Sequence, residues 1–497
     1  MKMTHLTSMK FFLLVFINFL SLHSYAQKDA SVKNLKRPNI IFIYTDDQRF
    51  DALGVVQNEQ GSKARFPWFE TPHLDRLAKE GVRFRNAFVI NSLCSPSRST
   101  LLNGKYNHLN GIANNHTFLS DTSLTYATEL QKHGYITGFV GKWHMGKQTG
   151  KRPGFHYSAS FIGQGQYNDC PFEINGMETS TKGWVDDVST DFAISFINKN
   201  KDQNFAVALA FKSGHGPFQP PARHAQTFSS VPLIKPSTEH LVVPYKGKVD
   251  GGRKPTTPPA PLKSNSWTEN NEERIRNYFG CLKAVDENVG RILKTLDSLG
   301  IAENTVVLFS SDNGFFFGEH GLGDKRAAYE ESIRVPLLAR YPARFPKGKL
   351  IDQIVLNLDA APTILDLAGI PAPASFQGKS WLPLVLDKQV VWRKSFLYEY
   401  FYEQGYALPT IKAVRTETGK LIQYPGQDDW AEVYDLKNDP QETKNLINAP
   451  EGVKLKQSLE KELAEQEKIY HYTIPEYADQ RILDEQGKYK QPEIGIQ

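Results

Sequence analysis

Cys94-Ser95-Pro96-Ser97-Arg98 sets a thiol, a proline and a guanidinium at fixed spacing. The plainest chemistry is none, since a free cysteine usually packs as a small buried hydrophobe. A thiol nucleophile with a histidine base fits the residue types but gives Pro96 and Arg98 no task. Ser95 can cap a helix, Pro96 suits its first turn, and Ser99 to Leu102 can continue it. Residue 94 then lies beside unpaired N–H groups that favour an anion. Arg98, one turn on, can aim a planar fork at the same spot, and that fork suits oxygen anions better than a lysine would.

Four other sequences offer matching groups. Asp46-Asp47 and Asp312-Asn313 are hard oxygen donors of the kind calcium or magnesium takes. Either pair alone reads sooner as a turn than as a metal site. Lys142 and His144 alternate, so on an extended segment both side chains leave one face. His215 sits between two glycines, and Lys325 follows the loop Gly318 to Gly323. Taken singly, each of these is ordinary surface chemistry.

Position joins them. Four apolar runs of strand character, Asn39 to Tyr44, Tyr135 to Gly141, Phe205 to Phe211 and Thr305 to Phe309, each stop abruptly just before one of these polar groups. Near-continuous apolar strands mark a parallel sheet buried on both faces, whose ligands bind at the strands' carboxyl ends. Helical patterns fall between them, as parallel connections require. One opens at Thr71-Pro72 with Leu74, Leu77 and Ala78 on one face and stops at Gly81; a longer one runs from about 268 to 300. A further strand over 335–341 and a helix over 358–369 extend the sheet.

The segments 147–183 and 216–267 break this pattern with aromatic or Pro/Lys/Ser-rich stretches, and they are expected either to rim the cleft or to be plain surface loops. Tyr167, Trp184 and Arg223 are their candidates for reading a sugar, with a purely structural role as the alternative. From Trp392 onward, alternating runs at 396–401, 411–415, 420–423 and 431–434 predict a small antiparallel sheet closed by a helix over 452–468. The expected division is therefore a signal peptide over 1–26, a catalytic domain over 27–388 and a smaller C-terminal α+β subdomain over 389–497.

The signal peptide is read from Lys2 and Lys10, the apolar run Phe11 to Leu20, and Ser24-Tyr25-Ala26. That run is shorter than the ~20 residues a spanning helix needs, so no membrane insertion is expected. No cysteine follows it, which disfavours a lipid anchor. A net charge of +5 over 497 residues gives no reason to expect a nucleic-acid partner. Cys170 and Cys281 could pair in an oxidising compartment or stay free, and without a C-x-x-C a structural zinc site is not expected.

On Asn39–Gln48, Thr71–Arg76, Cys94–Tyr106, Gly141–Gly146, Ser310–Gly314, Gly318–Arg326 and Glu432–Leu446, the chain resembles the formylglycine-dependent sulfatases of the alkaline-phosphatase-like superfamily. The likeness covers roughly residues 38 to 446. It implies an α/β/α sandwich around a mostly parallel sheet, and a periplasmic or secreted enzyme that hydrolyses a sulfate ester on a carbohydrate. It implies that a formylglycine-generating maturation enzyme converts Cys94 to formylglycine (3-oxoalanine), whose hydrate attacks sulfur. Asp46, Asp47, Asp312 and Asn313 would hold calcium, preferred over magnesium, against residue 94. His215 would protonate the leaving alcohol and His144 would take a proton from the diol. Arg98 would steady the diol, and Lys142 and Lys325 would clamp the sulfate. Two positions depart from the pattern: Asn103 stands before Gly104 where threonine is common, and Gly323 stands before Asp324 where an aromatic is common. The rival readings are a phosphonate or phosphate ester hydrolase of the same superfamily and an inactive carbohydrate-binding homologue.

Overall fold

In the computed structural model, which describes residues 37–245, 269–403 and 408–475, the four apolar runs form adjacent strands at the centre of a ten-stranded mixed sheet. The expected signal peptide and the later half of the proline-rich insertion lie outside the described residues. Asn39–Thr45 pairs in parallel with Phe205–Ala210 on one side and Thr305–Ser311 on the other, and Ile136–Lys142 lies beyond Phe205–Ala210, also parallel.

Side chains alternate across these strands, so each strand feeds two cores. Ile40, Phe42 and Tyr44 enter one core, and Ile41 and Ile43 enter the other. The second is covered by Pro72–Glu80, Val185–Asn200 and Glu269–Ser298, through Leu74, Leu77, Ile197, Val285, Val289 and Ile292. Cys94–Asn103, Tyr126–Lys132 and Ala360–Leu367 cover the first through Leu101, Leu102, Leu130, Ile364 and Leu365. The result is an α/β/α sandwich in which each fully buried aliphatic side chain contributes roughly 1.5–3 kcal/mol. With both faces covered, the polar strand ends are directed to one edge.

The expected strand over 335–341 is Leu337–Arg340, and it runs antiparallel to Thr305–Ser311. The intervening chain holds only the short helices Glu319–Gly321 and Glu330–Ile333, and is spent on the loop that carries Lys325 rather than on a crossover helix. The segment 147–183 is more regular than its composition suggests. Tyr157–Phe161 pairs in parallel with Ile136–Lys142, and Phe172–Ile174 and Met177–Thr179 form a hairpin on Asn175-Gly176. Both hairpin residues have φ above zero, the conformation that makes Asn-Gly the preferred two-residue turn.

Ser395–Tyr400, Ile411–Thr416, Gly419–Gln423 and Glu432–Asp435 make a four-stranded antiparallel sheet, covered by Val453–Tyr470 through Leu459 and Leu463. This sheet shares the first hydrophobic core, and Glu399 accepts a 2.6 Å hydrogen bond from the Asn107 backbone N–H, four residues past the Cys94 helix. The small sheet thereby fixes the far end of the element that carries Cys94.

Candidate active site

The ends of the central strands, the Cys94 helix and the loop before Lys325 bring every expected catalytic and metal residue into one largely buried cluster. The backbone N–H of Asp312 donates to the Thr45 carbonyl (3.1 Å) and that of Asp46 to the Ser213 carbonyl (2.9 Å), so three loops are laced together directly above the sheet. Asp47 takes a left-handed backbone, φ 55°, and its N–H donates to Asp312 Oδ1 at 3.1 Å. A residue without a β-branch is needed for that turn, and a short acidic side chain tolerates it.

Cys94 is the first residue of its helix and is fully buried. Leu93 occupies the capping position, so Ser95 does not cap this helix as its sequence suggests; its hydroxyl instead donates to the His144 carbonyl at 2.5 Å. The Cys94 Sγ lies 3.5 Å from Asp46 Oδ1 and 3.4 Å from the Lys325 ammonium. Burial, with Asp46 adding to it, pushes the thiol up to about 12, well above the usual thiol range.

Arg98 donates through Nε to Asp312 Oδ2 at 2.7 Å and through Nη1 to the Lys142 carbonyl, with its guanidinium 5.2 Å from the Tyr44 ring centre. The Lys142 ammonium meets Asp46 and the side-chain oxygen of Gln164, while Lys325 Nζ lies 2.5 and 2.7 Å from the two Asp47 oxygens. Lys142 can approach this closely because Gly141, φ 94°, lies against the next strand, where a Cβ would sit 2.0 Å from the Ala210 carbonyl oxygen. His144 reaches the same space through a left-handed turn, φ 49°, rather than by the extended alternation expected for it. His215 donates from Nδ1 to the Gly216 carbonyl at 2.6 Å, which assigns its neutral tautomer and leaves Nε2 as the other ring nitrogen.

Carboxylate oxygens of Asp46, Asp47 and Asp312 lie within 4.8 Å of one another, and so do ligand atoms of Asp46, Cys94 and His215. Burial alone would raise all three acids. Lys142, then His215, Arg98 and Lys325, hold Asp46 well below the usual range, whereas burial raises Asp47 to about 7 and also lifts Asp312. Burial, followed by the charge of Lys142, keeps both His144 and His215 well below the usual imidazole value. Three buried polar atoms here have no hydrogen-bond partner: Asn313 Oδ1, Arg98 Nη2 and His144 Nδ1. The Asn313 amide donates from Nδ2 to Asp47 Oδ1 at 2.6 Å, and its unpartnered oxygen together with three clustered carboxylates makes a donor set that fits a hard divalent cation.

Sequence reasoning missed several supporting residues. Gln164 contacts Lys142, Asn115 accepts from the Ser95 N–H at 3.0 Å, and Asp186 accepts from the Lys212 and Ser213 N–H groups at 2.8 and 3.0 Å. Lys212 was findable, because it follows an apolar strand as Lys142 does. The sugar-reading candidates are placed otherwise. Tyr167 and Trp184 are buried and stacked on each other, with their polar atoms donating to the His215 and Gln219 carbonyls. Arg223 is spent on Asp187 and Glu287. Tyr167 and Trp184 are therefore structural, whereas Arg223 is an exposed, ion-paired side chain. Cys170 and Cys281 are both free thiols and both buried.

Comparison with known proteins agrees with this geometry. The family model described as Sulfatase matches residues 38–370, and that described as N-sulphoglucosamine sulphohydrolase, C-terminal, matches 318–469. An N-acetylglucosamine-6-O-sulfatase of Bacteroides thetaiotaomicron is 31% identical, over 89% of this chain and 88% of the relative. An ulvan-active sulfatase of Formosa agariphila is 29% identical, over 86% and 80% respectively. A solved structure described as a complex with its substrate D-glucosamine-2-N,6-O-disulfate superposes with a TM-score of 0.78 at 30% identity, covering 90% of this chain and all of the other. A phosphonate monoester hydrolase of Agrobacterium radiobacter, TM-score 0.69 at 20% identity over 92% of this chain and 100% of that one, shares the fold. The chain belongs to the sulfatase family of sulfuric ester hydrolases.

Proposed function

We propose that this protein is a periplasmic or secreted glycan sulfatase that removes a sulfate ester from a carbohydrate, with a 6-O-sulfated glucosamine as the first substrate to test. The observation that carries the reading is the position of residue 94 at the head of a helix, with its Sγ within 3.5 Å of both Asp46 and Lys325. The Sγ stands in for an oxygen of the hydrated aldehyde. The hydrate, formed after oxidation of Cys94, would supply an oxygen nucleophile for sulfur that can later be released by elimination. A calcium ion held by Asp46, Asp47, Asp312 and Asn313 would polarise a sulfate oxygen and favour ionisation of that nucleophile.

The remaining work falls to the chain's own groups. Arg98, fixed by Asp312, holds residue 94 from the helix side. Lys142 and Lys325 face the sulfate oxygens and meet the charge that builds in the transition state. His215 presents Nε2 to the leaving oxygen and His144 faces residue 94, so one can give a proton while the other takes one. The negative ester sulfate entering among these lysines raises the affinity of His215 for the proton it must deliver. The same reading keeps residues 27–388 as the catalytic domain and 389–497 as the subdomain that supports it, with the signal peptide at 1–26 directing export. Among the described residues no helix is long and apolar enough to cross a membrane.

The test combines two measurements on protein from an export-competent host that carries the maturation enzyme. Mass analysis of the peptide containing Cys94 should show the aldehyde, and sulfate should be released from 6-O-sulfated glucosamine in a calcium-dependent reaction. Faster release of phosphate from the matched phosphate ester would instead assign a phosphate or phosphonate hydrolase. An unmodified thiol without turnover would assign the inactive carbohydrate-binding homologue.

A further inference from the structure

Lys212 is a buried ammonium with no assigned task. It is 1% exposed and, among the described residues, forms no ion pair with a carboxylate. Its Nζ donates to the Gln164 carbonyl at 2.9 Å and lies 4.8 Å from the centre of the Tyr167 ring. A buried charge met only by a carbonyl and an aromatic face costs stability, so its retention at such a place points to a role beyond the fold.

Both partners lead to the sulfate-facing groups. Gln164 accepts from the Lys142 ammonium through its side chain, and glycines with φ near 60° flank it at 163 and 165, so its loop has little stiffness of its own. Tyr167, three residues on, donates its hydroxyl to the His215 carbonyl at 2.6 Å. Lys212 itself precedes His215 by three residues, and Asp186 pins the Lys212 and Ser213 N–H groups. One ammonium thus touches two branches, one ending on Lys142 and the other on His215.

We propose that Lys212 is a positioning residue, bracing the sulfate clamp Lys142 through Gln164 and the acid His215 through Tyr167. The inference rests on the sulfatase reading. It separates two consequences: the Gln164 branch governs how tightly a sulfate is held, and the Tyr167 branch governs proton delivery to the leaving oxygen.

The test uses matured, calcium-loaded full-length protein, a sugar sulfate with a poor alkoxide leaving group, and 4-nitrophenyl sulfate, whose phenolate leaves without a proton. Lys212→Met should lower kcat on the sugar sulfate by about thirtyfold but on the aryl sulfate by only about threefold, because misplaced general acids cost most where protonation matters. Inorganic sulfate should bind about fivefold more weakly, read by calorimetry, which needs no turnover. Tyr167→Phe should reproduce only the selective kcat loss, and Gln164→Ala only the weaker sulfate binding. These two variants keep the test available should Lys212→Met fold poorly. Equal losses on both substrates, unchanged sulfate affinity in Lys212→Met, or branch variants that behave like the wild type would overturn the proposal. A wild type that releases no sulfate would instead overturn the sulfatase reading, and the sulfate-binding measurements would still decide the role of Lys212.

Discussion

Two clusters of buried charge face opposite problems in this molecule. At the C-terminal sheet, Lys420 lies 2.6 Å from Glu442 and 2.9 Å from Glu330, Arg415 adds a second cation to Glu330, and three tyrosines, 329, 424 and 434, donate to Glu432. Lys420 Nζ and Glu442 Oε1 lack hydrogen-bond geometry, yet each still faces an opposite charge. At the strand ends, three carboxylates and the cations Arg98, Lys142 and Lys325 also balance in number, yet the Asn313 amide oxygen and His144 Nδ1 are left with neither a hydrogen bond nor an ion pair. Charge balance is common to both clusters; what sets the strand ends apart is an amide oxygen and an imidazole nitrogen buried with nothing opposite them.

Four measurements can break or sharpen that contrast. The largest effect belongs to Cys94→Ala, expected to lower sulfate release by at least about 10⁴-fold, as loss of a nucleophile does, with little change in the unfolding midpoint. Lys420→Met comes next. It should destabilise the protein by about 3 kcal/mol in urea unfolding, since breaking a buried ion pair strands its partners, while turnover per folded molecule stays unchanged. If activity instead fell with stability intact, the two clusters would not be separable as drawn here. Asn313→Ala should weaken calcium binding by at least about tenfold in calorimetry, the scale seen when groups around a metal are removed.

The smallest effect concerns pH. Burial, then the charge of Lys142, pushes Lys212 down to about 8. Its ammonium is therefore intact below that pH and lost as pH rises through it, ahead of an exposed lysine. Turnover of the sugar sulfate should decline by a few-fold above about pH 8, and Lys212→Arg, which keeps its charge, should move that decline upward. A kcat–pH profile with the same descending limb in both proteins would remove Lys212 from the cause.

What could be read from the sequence was whatever depended on local pattern. The four central strands, the helix at Pro72–Glu80, the long helix now bounded at Glu269–Ser298 and the C-terminal strands all declared themselves through period and punctuation. Convergence of Asp46, Lys142, His215 and Asp312 followed from one rule about strand ends, and Cys94 and Lys325 joined them from a helix head and a loop. The failures share a cause. Tyr157–Phe161 and its hairpin were hidden because these short strands toward the sheet's edge carry mixed residues, and Asn175-Gly176 was the overlooked signal. Tyr167 and Trp184 looked like sugar platforms because aromatic type is visible in sequence and burial is not. Gln164 and Lys212 escaped because their importance lies in whom they touch across 22 and 48 residues of chain.

Gly141 carries a consequence for anyone who would redesign this pocket. With a carbonyl of the neighbouring strand lying where its side chain would begin, the spacing beneath Lys142 has no slack, and Gly141→Ala would force the two strands apart. The floor of the pocket is therefore a fixed dimension. Room for a bulkier sugar has to be found in its walls, by trimming or lengthening the loops above the sheet.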